Sequence, residues 1–142
     1  MLTFTVYGVA QSKGSTRAFT LKGMKHPIIT DSNRNAKAWQ QLVAEAANQA
    51  LQTDDARQLL CGPVALTVAF RMPRPKKYQK PNRPVFHCTK PDIDKLLRAV
   101  LDALTGVVFV DDSQIVTVIA TKQYAAFEEA PHIQVTVDGV PT

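Results

Sequence analysis

Residues 90–122 read KPDIDKLLRAVLDALTGVVFVDDSQIVTVIATK and join a helix pattern to a strand pattern through an acidic turn. Apolar residues recur over 93–104 at the spacing of one helix face, and Gly106 supplies a stop just beyond them. An acidic pair at 111–112 marks the turn, and the mostly β-branched residues 115–122 favour a strand. This stretch therefore predicts a helix followed by a return to a sheet.

Three other stretches alternate apolar and polar residues, which is the pattern of strands with one buried face. They are residues 2–7, 64–72 and 132–137. A second helix pattern lies between the first two, so the predicted order is β-α-β-α-β-β. This alternation favours an α+β fold, in which two helices pack on a small mixed sheet.

The upstream helix is indicated by apolar residues that recur on one face from Trp39 to Leu51. Asp31 or Ser32 is predicted to cap it. The Gly-, Ser- and Lys-rich segment before this helix predicts a long loop with a small hairpin near residues 21–23.

Length and composition exclude several classes of protein. The chain has 142 residues, of which 45% are apolar, so we expect a single domain spanning residues 1–142. No apolar run approaches the roughly 18 residues that cross a bilayer, and the first residues lack a secretory signal pattern. We therefore expect a cytoplasmic protein without a membrane span or an organic cofactor. Cys61 and Cys88 lie in no CxxC motif, so we expect neither a disulfide framework nor a closed zinc site.

Positive charge is concentrated in a proline-rich segment. Residues 71–90 contain seven basic and no acidic side chains, and residues 73–91 include five prolines, which predicts a long basic loop. Such a loop attracts the phosphate backbone of nucleic acids, although a solubilising surface is the alternative. The candidate DNA-binding residues in and around this loop are Lys13, Arg17, Arg74, Lys76, Lys77, Lys80, Arg83, Lys90, Lys95 and Lys122.

Aspartates follow the basic loop in two groups. Asp92 and Asp94 open the helix at 93–104, and Asp111 and Asp112 lie in the turn after it. Mg²⁺ prefers hard oxygen ligands such as carboxylates, and beside a basic loop these groups suggest hydrolysis of a phosphodiester by metal-activated water. The alternatives are structural: Asp92 and Asp94 as a helix cap and dipole partner, and the turn pair as solvated surface.

Arg98 lies one helical turn after Asp94. It has two interpretations, an ion pair with Asp94 within the helix or a phosphate contact that stabilises developing charge. The spacing alone leaves both open.

The run from Lys90 to Ile115 resembles the RusA family of Holliday-junction resolvases. The likeness rests on KPDIDKLLR, on LDALTG and on DDSQI, over about 30 residues. It implies a RusA-like dimeric endonuclease that cuts four-way DNA junctions with Mg²⁺ or Mn²⁺. Asp92, Asp94 and Asp112 then correspond to the metal ligands and catalytic carboxylates, with Asp111 as a supporting carboxylate.

Two positions depart from the family pattern, which commonly has Asn in place of Lys95 and Lys in place of Arg98. Arg98 keeps the positive charge of the catalytic position but does not give up a proton, so it suits phosphate binding and not general acid catalysis. The resemblance implies a homodimer, because two matched incisions need two equivalent sites. The alternatives are a non-catalytic basic DNA-binding protein and a nuclease that acts on other branched DNA.

Overall fold

The computed structural model describes residues 1–14, 16–19, 22–23, 28–31, 33–53, 59–79 and 85–141. Within them the chain forms six strands, two helices and two short 3-10 turns. In chain order these are β1 (Leu2–Tyr7), β2 (Thr16–Phe19), β3 (Ile28–Asp31), α1 (Ala36–Thr53), β4 (Val64–Met72), a 3-10 turn (Lys76–Tyr78), α2 (Ile93–Leu104), a 3-10 turn (Asp112–Gln114), β5 (Ile115–Tyr124) and β6 (His132–Gly139).

Four of the strands form one mixed sheet in the order β1-β6-β4-β5. β4 is parallel to β5 and antiparallel to β6, and β6 is antiparallel to β1. Strands β2 and β3 form a separate antiparallel hairpin. The predicted α+β class, mixed sheet and small hairpin are therefore confirmed.

The core lies between the sheet and the two helices. β4 is the central strand, and its alternate residues Val64, Val68 and Phe70 are completely buried. α1 contributes Trp39 and Val43 to the same core, and α2 contributes its own stripe of Leu96, Val100 and Leu104. The apolar residues that alternate in the strand sequences, and those that recur at helical spacing in α1 and α2, thus form the buried faces of these elements.

The predicted cap of α1 is wrong. The helix begins at Ala36, after a turn in which the Asn33 side chain accepts a hydrogen bond from the backbone N–H of Asn35 at 3.0 Å. Asp31 is the last residue of β3, and Ser32 lies outside the described residues. Both predicted residues lie at least four positions before Ala36, whereas an N-cap residue directly precedes the first helical residue.

The outer edge of β5 is covered along only part of its length. Phe86 forms an antiparallel bridge with Gln123, and the His87 N–H donates to the carbonyl of Lys122 at 3.3 Å. Between residues 115 and 121, no described backbone group pairs with this edge. That stretch has no charged residue, and it exposes Val116, Val118 and Ile119.

Across the described residues, no helix combines the length and the apolar character of a membrane span.

Candidate active site

Asp92 and Asp94 lie at the start of α2, on the exposed side of the helix. Asp92 has the extended backbone of an N-cap residue, yet its side chain makes no capping hydrogen bond. Its ion-pair partner is Lys95, with the ammonium 4.0 Å from the carboxylate. The backbone therefore does not use this carboxylate, and the structural alternative of a side-chain cap does not hold for Asp92.

The segment before α2 is fastened to the sheet by Lys122. Its ammonium donates to the carbonyl of Thr89 at 2.8 Å and to that of Pro91 at 2.7 Å. A hydrogen bond from a charged donor is stronger than a neutral one. Lys122, a predicted DNA contact, thus directs its charge at the backbone that leads into Asp92.

Asp111 and Asp112 are arranged differently. The Asp111 carboxylate accepts from the backbone N–H of Ser113 at 3.1 Å, and the Gln114 side chain accepts from the N–H of Asp111 at 2.8 Å. These two bonds form a capping box around the 3-10 turn. Gln114 also donates to the carbonyls of Leu60 and Gly62. Asp111 is therefore part of the local structure of the turn.

The two carboxylates of the turn are shifted in opposite directions. The backbone N–H of Ser113 and a hydrogen bond with Asp112 lower the pKa of Asp111. The hydrogen bond with Asp111 raises the pKa of Asp112, and the negative charges of Asp111 and Asp102 add to this effect.

Asp102 and Lys13 complete the surroundings of the acidic turn. Their side chains form an ion pair at 2.7 Å near the C-terminal end of α2. The Lys13 ammonium counteracts part of the rise in the pKa of Asp112. Asp102 lies two helical turns after Asp94 in the sequence, but nothing in the spacing indicates Lys13 as its partner.

The candidate carboxylates therefore form two groups within one chain. Asp92 and Asp94 lie at the start of α2, whereas Asp112 is close enough to Asp102, near the end of the helix, to feel its charge. Eight residues of helix separate Asp94 from Asp102, which corresponds to about 12 Å. In the described part of the chain, no three His, Cys, Asp or Glu side chains meet with the geometry of a metal site.

Arg98 is exposed on α2 between the two groups. No ion pair joins it to a carboxylate in the described part of the chain, so the pair with Asp94 considered from the sequence does not form. Its guanidinium therefore remains available for an anion such as a phosphate.

The predicted DNA-binding residues have diverse environments. Lys76, Lys77, Lys90 and Lys95 are exposed. Arg74 instead donates to the carbonyls of Ala125 and Tyr78, at 2.8 and 3.1 Å. The structure gives no side-chain environment for Arg17, and Lys80 and Arg83 lie outside the described residues. The four exposed lysines are the ones whose described surroundings suit contact with a polyanion.

His87 was not identified from the sequence. It is 9% exposed, and in the described structure its Nδ1 has no hydrogen-bond partner. Burial and the nearby Lys122 ammonium lower its pKa. No metal-ligand spacing marks this histidine, and its burial comes from packing edge-on against Tyr124, with ring centroids 4.9 Å apart.

Comparison with known proteins adds an independent result. The chain is 31% identical over 144 residues to the uncharacterized protein YqaN of Bacillus subtilis (strain 168), which covers 96% of this chain and 94% of that protein. The signature of the family Endodeoxyribonuclease RusA matches residues 11–138. This range contains both aspartate groups, Arg98 and the basic loop. The chain therefore belongs to the RusA family of endodeoxyribonucleases.

Proposed function

We propose that this protein is a homodimeric, Mg²⁺-dependent endodeoxyribonuclease that resolves four-way DNA junctions by paired, symmetric cleavage, in DNA recombination and repair. The observation that carries the proposal is the Asp92 carboxylate, which occupies a helix cap position without capping the helix. Family membership supports the nuclease activity. Exposed lysines next to these carboxylates supply the attraction for the DNA backbone.

Asp92, Asp94 and Asp112 are the residues we assign to the metal, with Asp111 as the carboxylate that supports Asp112. Asp92 and Asp94 fit a hard divalent cation because both are exposed oxygen donors at one helix end. Mn²⁺ has the same ligand preference and is an alternative ion. When bound, such a cation lowers the pKa of water and stabilises charge on a phosphate.

Arg98 is assigned to the phosphate in this scheme. Its exposed guanidinium lies one helical turn beyond Asp94, on the same helix. A planar fork of donors binds two phosphate oxygens at once, which orients the phosphate and compensates the charge that develops during hydrolysis. We expect Lys90 and Lys95 to hold the neighbouring backbone phosphates.

The homodimer is supported by the partly uncovered edge of β5. Natural proteins protect an edge strand with charge, proline or a covering segment, and residues 115–121 have none of these in the described structure. The opposite edge, β1, instead places Thr3 and Thr5 on its exposed side. We therefore assign β5 as the strand that pairs with a second copy of the chain.

Antiparallel pairing of two β5 strands has a consequence for the site. If Val118 lies on the two-fold axis, residue 115 of one chain faces residue 121 of the other. The start of each β5 then meets the end of the other, where Lys122 fastens the segment leading into Asp92. The partner subunit's acidic turn would thereby approach the first turn of α2, which would unite carboxylates that one chain keeps apart.

Junction cleavage tests the proposed function. A labelled four-way junction and a linear duplex of the same sequence are incubated with the protein, in Mg²⁺ and in EDTA. We expect paired symmetric nicks in the junction only, and only with Mg²⁺. Binding without cleavage would favour the non-catalytic DNA-binding protein, and equal cleavage of flaps or forks would favour a nuclease for other branched DNA.

Sedimentation equilibrium tests the dimer. Val118→Lys places a charge in the middle of the uncovered edge, where the native side chain is 40% exposed, so we expect the monomer fold to tolerate it. We expect the wild type to sediment at twice the chain mass and the variant at the chain mass. Thr5→Lys, on the exposed side of β1, is the matched control and should remain dimeric. A dimeric Val118→Lys protein would exclude the β5 edge as the interface.

A further inference from the structure

A pocket of about 550 Å³ lies beside the start of α2, between the end of β4 and the residues that follow β1. Its volume is within the range of small-molecule sites, which is about 300–1,000 Å³. Asp92 and Lys95 form part of its wall, so it opens next to the candidate active site. Asp92, Lys90 and Lys95 already have roles in the proposed function, but the apolar side of the pocket and His87 have none.

One side of the pocket is apolar. Val9, Ala10, Met72 and Pro73 form it, and Ala10 and Met72 are almost completely buried. These side chains carry no charge and leave a surface against which a flat ring can pack. An aromatic heterocycle is therefore a better occupant than a fully hydrated ion.

The polar groups of the pocket suit the edge of such a ring. His87 lines it and is nine-tenths buried, with an Nδ1 that has no partner in the described structure. Its lowered pKa keeps the ring neutral at pH 7, so it offers one donor and one acceptor. The imidazole torsion is broad, so we expect the ring to rotate and bring the buried, unpaired nitrogen toward an occupant. Gln11 also lines the pocket, and its amide donates to the carbonyl of Val9 at 3.2 Å.

Positive charge lies at the same pocket. Lys90 and Lys95 both line it, and both are exposed. Lys95 shares its charge with Asp92 across 4.0 Å, whereas no ion pair in the described structure involves Lys90. An occupant with an anionic group attached to its ring therefore satisfies both parts of the pocket, and a nucleotide has this combination.

We propose that this pocket binds one nucleotide of the DNA strand, with its base against the apolar side and His87 and its phosphate at Lys90 and Lys95. The nucleotide lies next to the phosphate that Asp92 and Asp94 serve, so the pocket selects the base beside the cut. The inference rests on the proposed function, because it assumes cleavage at the neighbouring phosphate. The binding of an unstacked base can nevertheless be tested without cleavage.

The first test uses junctions with 2-aminopurine at successive positions around the branch, bound to full-length Asp94→Asn protein. The fluorescence of this base rises when it leaves the stack. We expect one position per strand to respond, and we expect Lys90→Ala to reduce that response at least fivefold at saturating protein. Lys37→Ala, an exposed lysine on α1, removes the same charge elsewhere and should leave the response unchanged.

The second test varies the base at the responding position in wild-type cleavage assays. A well-placed pair of hydrogen bonds discriminates between bases by roughly tenfold or more. We expect a preference of this size, and we expect His87→Gln to change which base is preferred. Circular dichroism checks whether the His87→Gln protein is folded. If it is not folded, Lys90→Ala is used in its place.

The outcomes separate the two proposals. A fluorescent response in the first test, together with no junction cleavage by the wild-type protein in the second, would overturn the proposed nuclease function. It would leave the nucleotide pocket supported. Cleavage without a responding position, or a response unchanged by Lys90→Ala, would overturn the pocket. Titration with free deoxynucleoside monophosphates, followed by the His87 imidazole resonances, distinguishes a site for free nucleotide. Saturation by monophosphate that junction DNA does not displace would also overturn the inference.

Discussion

One pair of aspartates lies at the start of α2 and another in the turn after it, and the two pairs differ in the backbone hydrogen bonds that their carboxylates make. In the turn after the helix, Asp111 accepts a backbone N–H and belongs to a capping box. At the start of the helix, Asp92 occupies the cap position, but its carboxylate makes no such bond. A carboxylate that accepts a backbone N–H has a structural role in the fold. A carboxylate that makes no such bond is free to bind a ligand. The comparison therefore supports the start of α2 as the centre of the chemistry that we propose.

The largest expected effect is on activity. Asp94→Asn removes a candidate metal ligand without changing the fold, so we expect junction cleavage to fall at least about 100-fold while junction binding is kept or strengthened. Asp111→Asn should reduce the rate by less than about tenfold, because Asp111 supports Asp112 and does not replace it. Single-turnover cleavage rates measure both effects. Asp138→Asn, exposed on β6, is the control. Equal losses of cleavage rate in the Asp94→Asn and Asp111→Asn proteins would contradict the assignment of the chemistry to the start of α2.

A smaller effect is expected where Lys122 holds the start of α2. Lys122→Met keeps most of the side-chain volume but leaves the carbonyls of Thr89 and Pro91 without their charged donor. We expect a loss of about 1–2 kcal/mol in the free energy of unfolding, measured in urea. Lys76→Met, on the exposed 3-10 turn, should change stability by less than about 0.5 kcal/mol. Equal stability of the two variants would show that the contact with the two carbonyls is unimportant.

The two pairs should also differ in their effect on stability. Asp111→Ala removes the acceptor of the Ser113 N–H, so we expect the melting temperature to fall by a few degrees. Asp92→Ala removes no capping bond, so we expect a smaller change. Thermal unfolding followed by circular dichroism measures both. A greater loss for Asp92→Ala would mean that its carboxylate has a structural role after all.

The smallest effect is a titration within the turn. The pKa of Asp111 is lowered, so its contribution to stability is present above its unfolded pKa and lost as the pH falls through the folded value. The pKa of Asp112 is raised, so its contribution is present at low pH and lost as the pH rises through that value. We expect carboxyl ¹³C resonances to show Asp112 protonating first on acidification. The reverse order would contradict the hydrogen bond between the two groups.

Much of the fold was predictable because its patterns are local. The spacing of apolar residues in β4 and α2 follows directly from which face is buried. The start of α1 was not predictable to the residue, because several Asp, Ser and Asn side chains between residues 31 and 35 suit a helix N-terminus. The order of the strands in the sheet depends on contacts distant in sequence, which a spacing pattern does not contain.

The candidate site was predictable in part. The acidic pairs and Arg98 were identified from the sequence, and the family match covers all of them. The separation of the two aspartate groups along α2 was not predicted, because spacing along the chain does not show which carboxylates lie close together in the fold. Lys122 and His87 depend on contacts between β5 and the segment before α2, so their environments appear only in the structure.

The hydrogen bonds from Lys122 to the carbonyls of residues 89 and 91 make the position of the aspartates independent of the basic loop. Because the segment next to Asp92 is held by the sheet, insertions and deletions upstream in the basic loop need not displace the aspartates. The length and charge of that loop can therefore change while the start of α2 keeps its place against the sheet. The ammonium acts as a boundary between a region open to variation and a region closed to it.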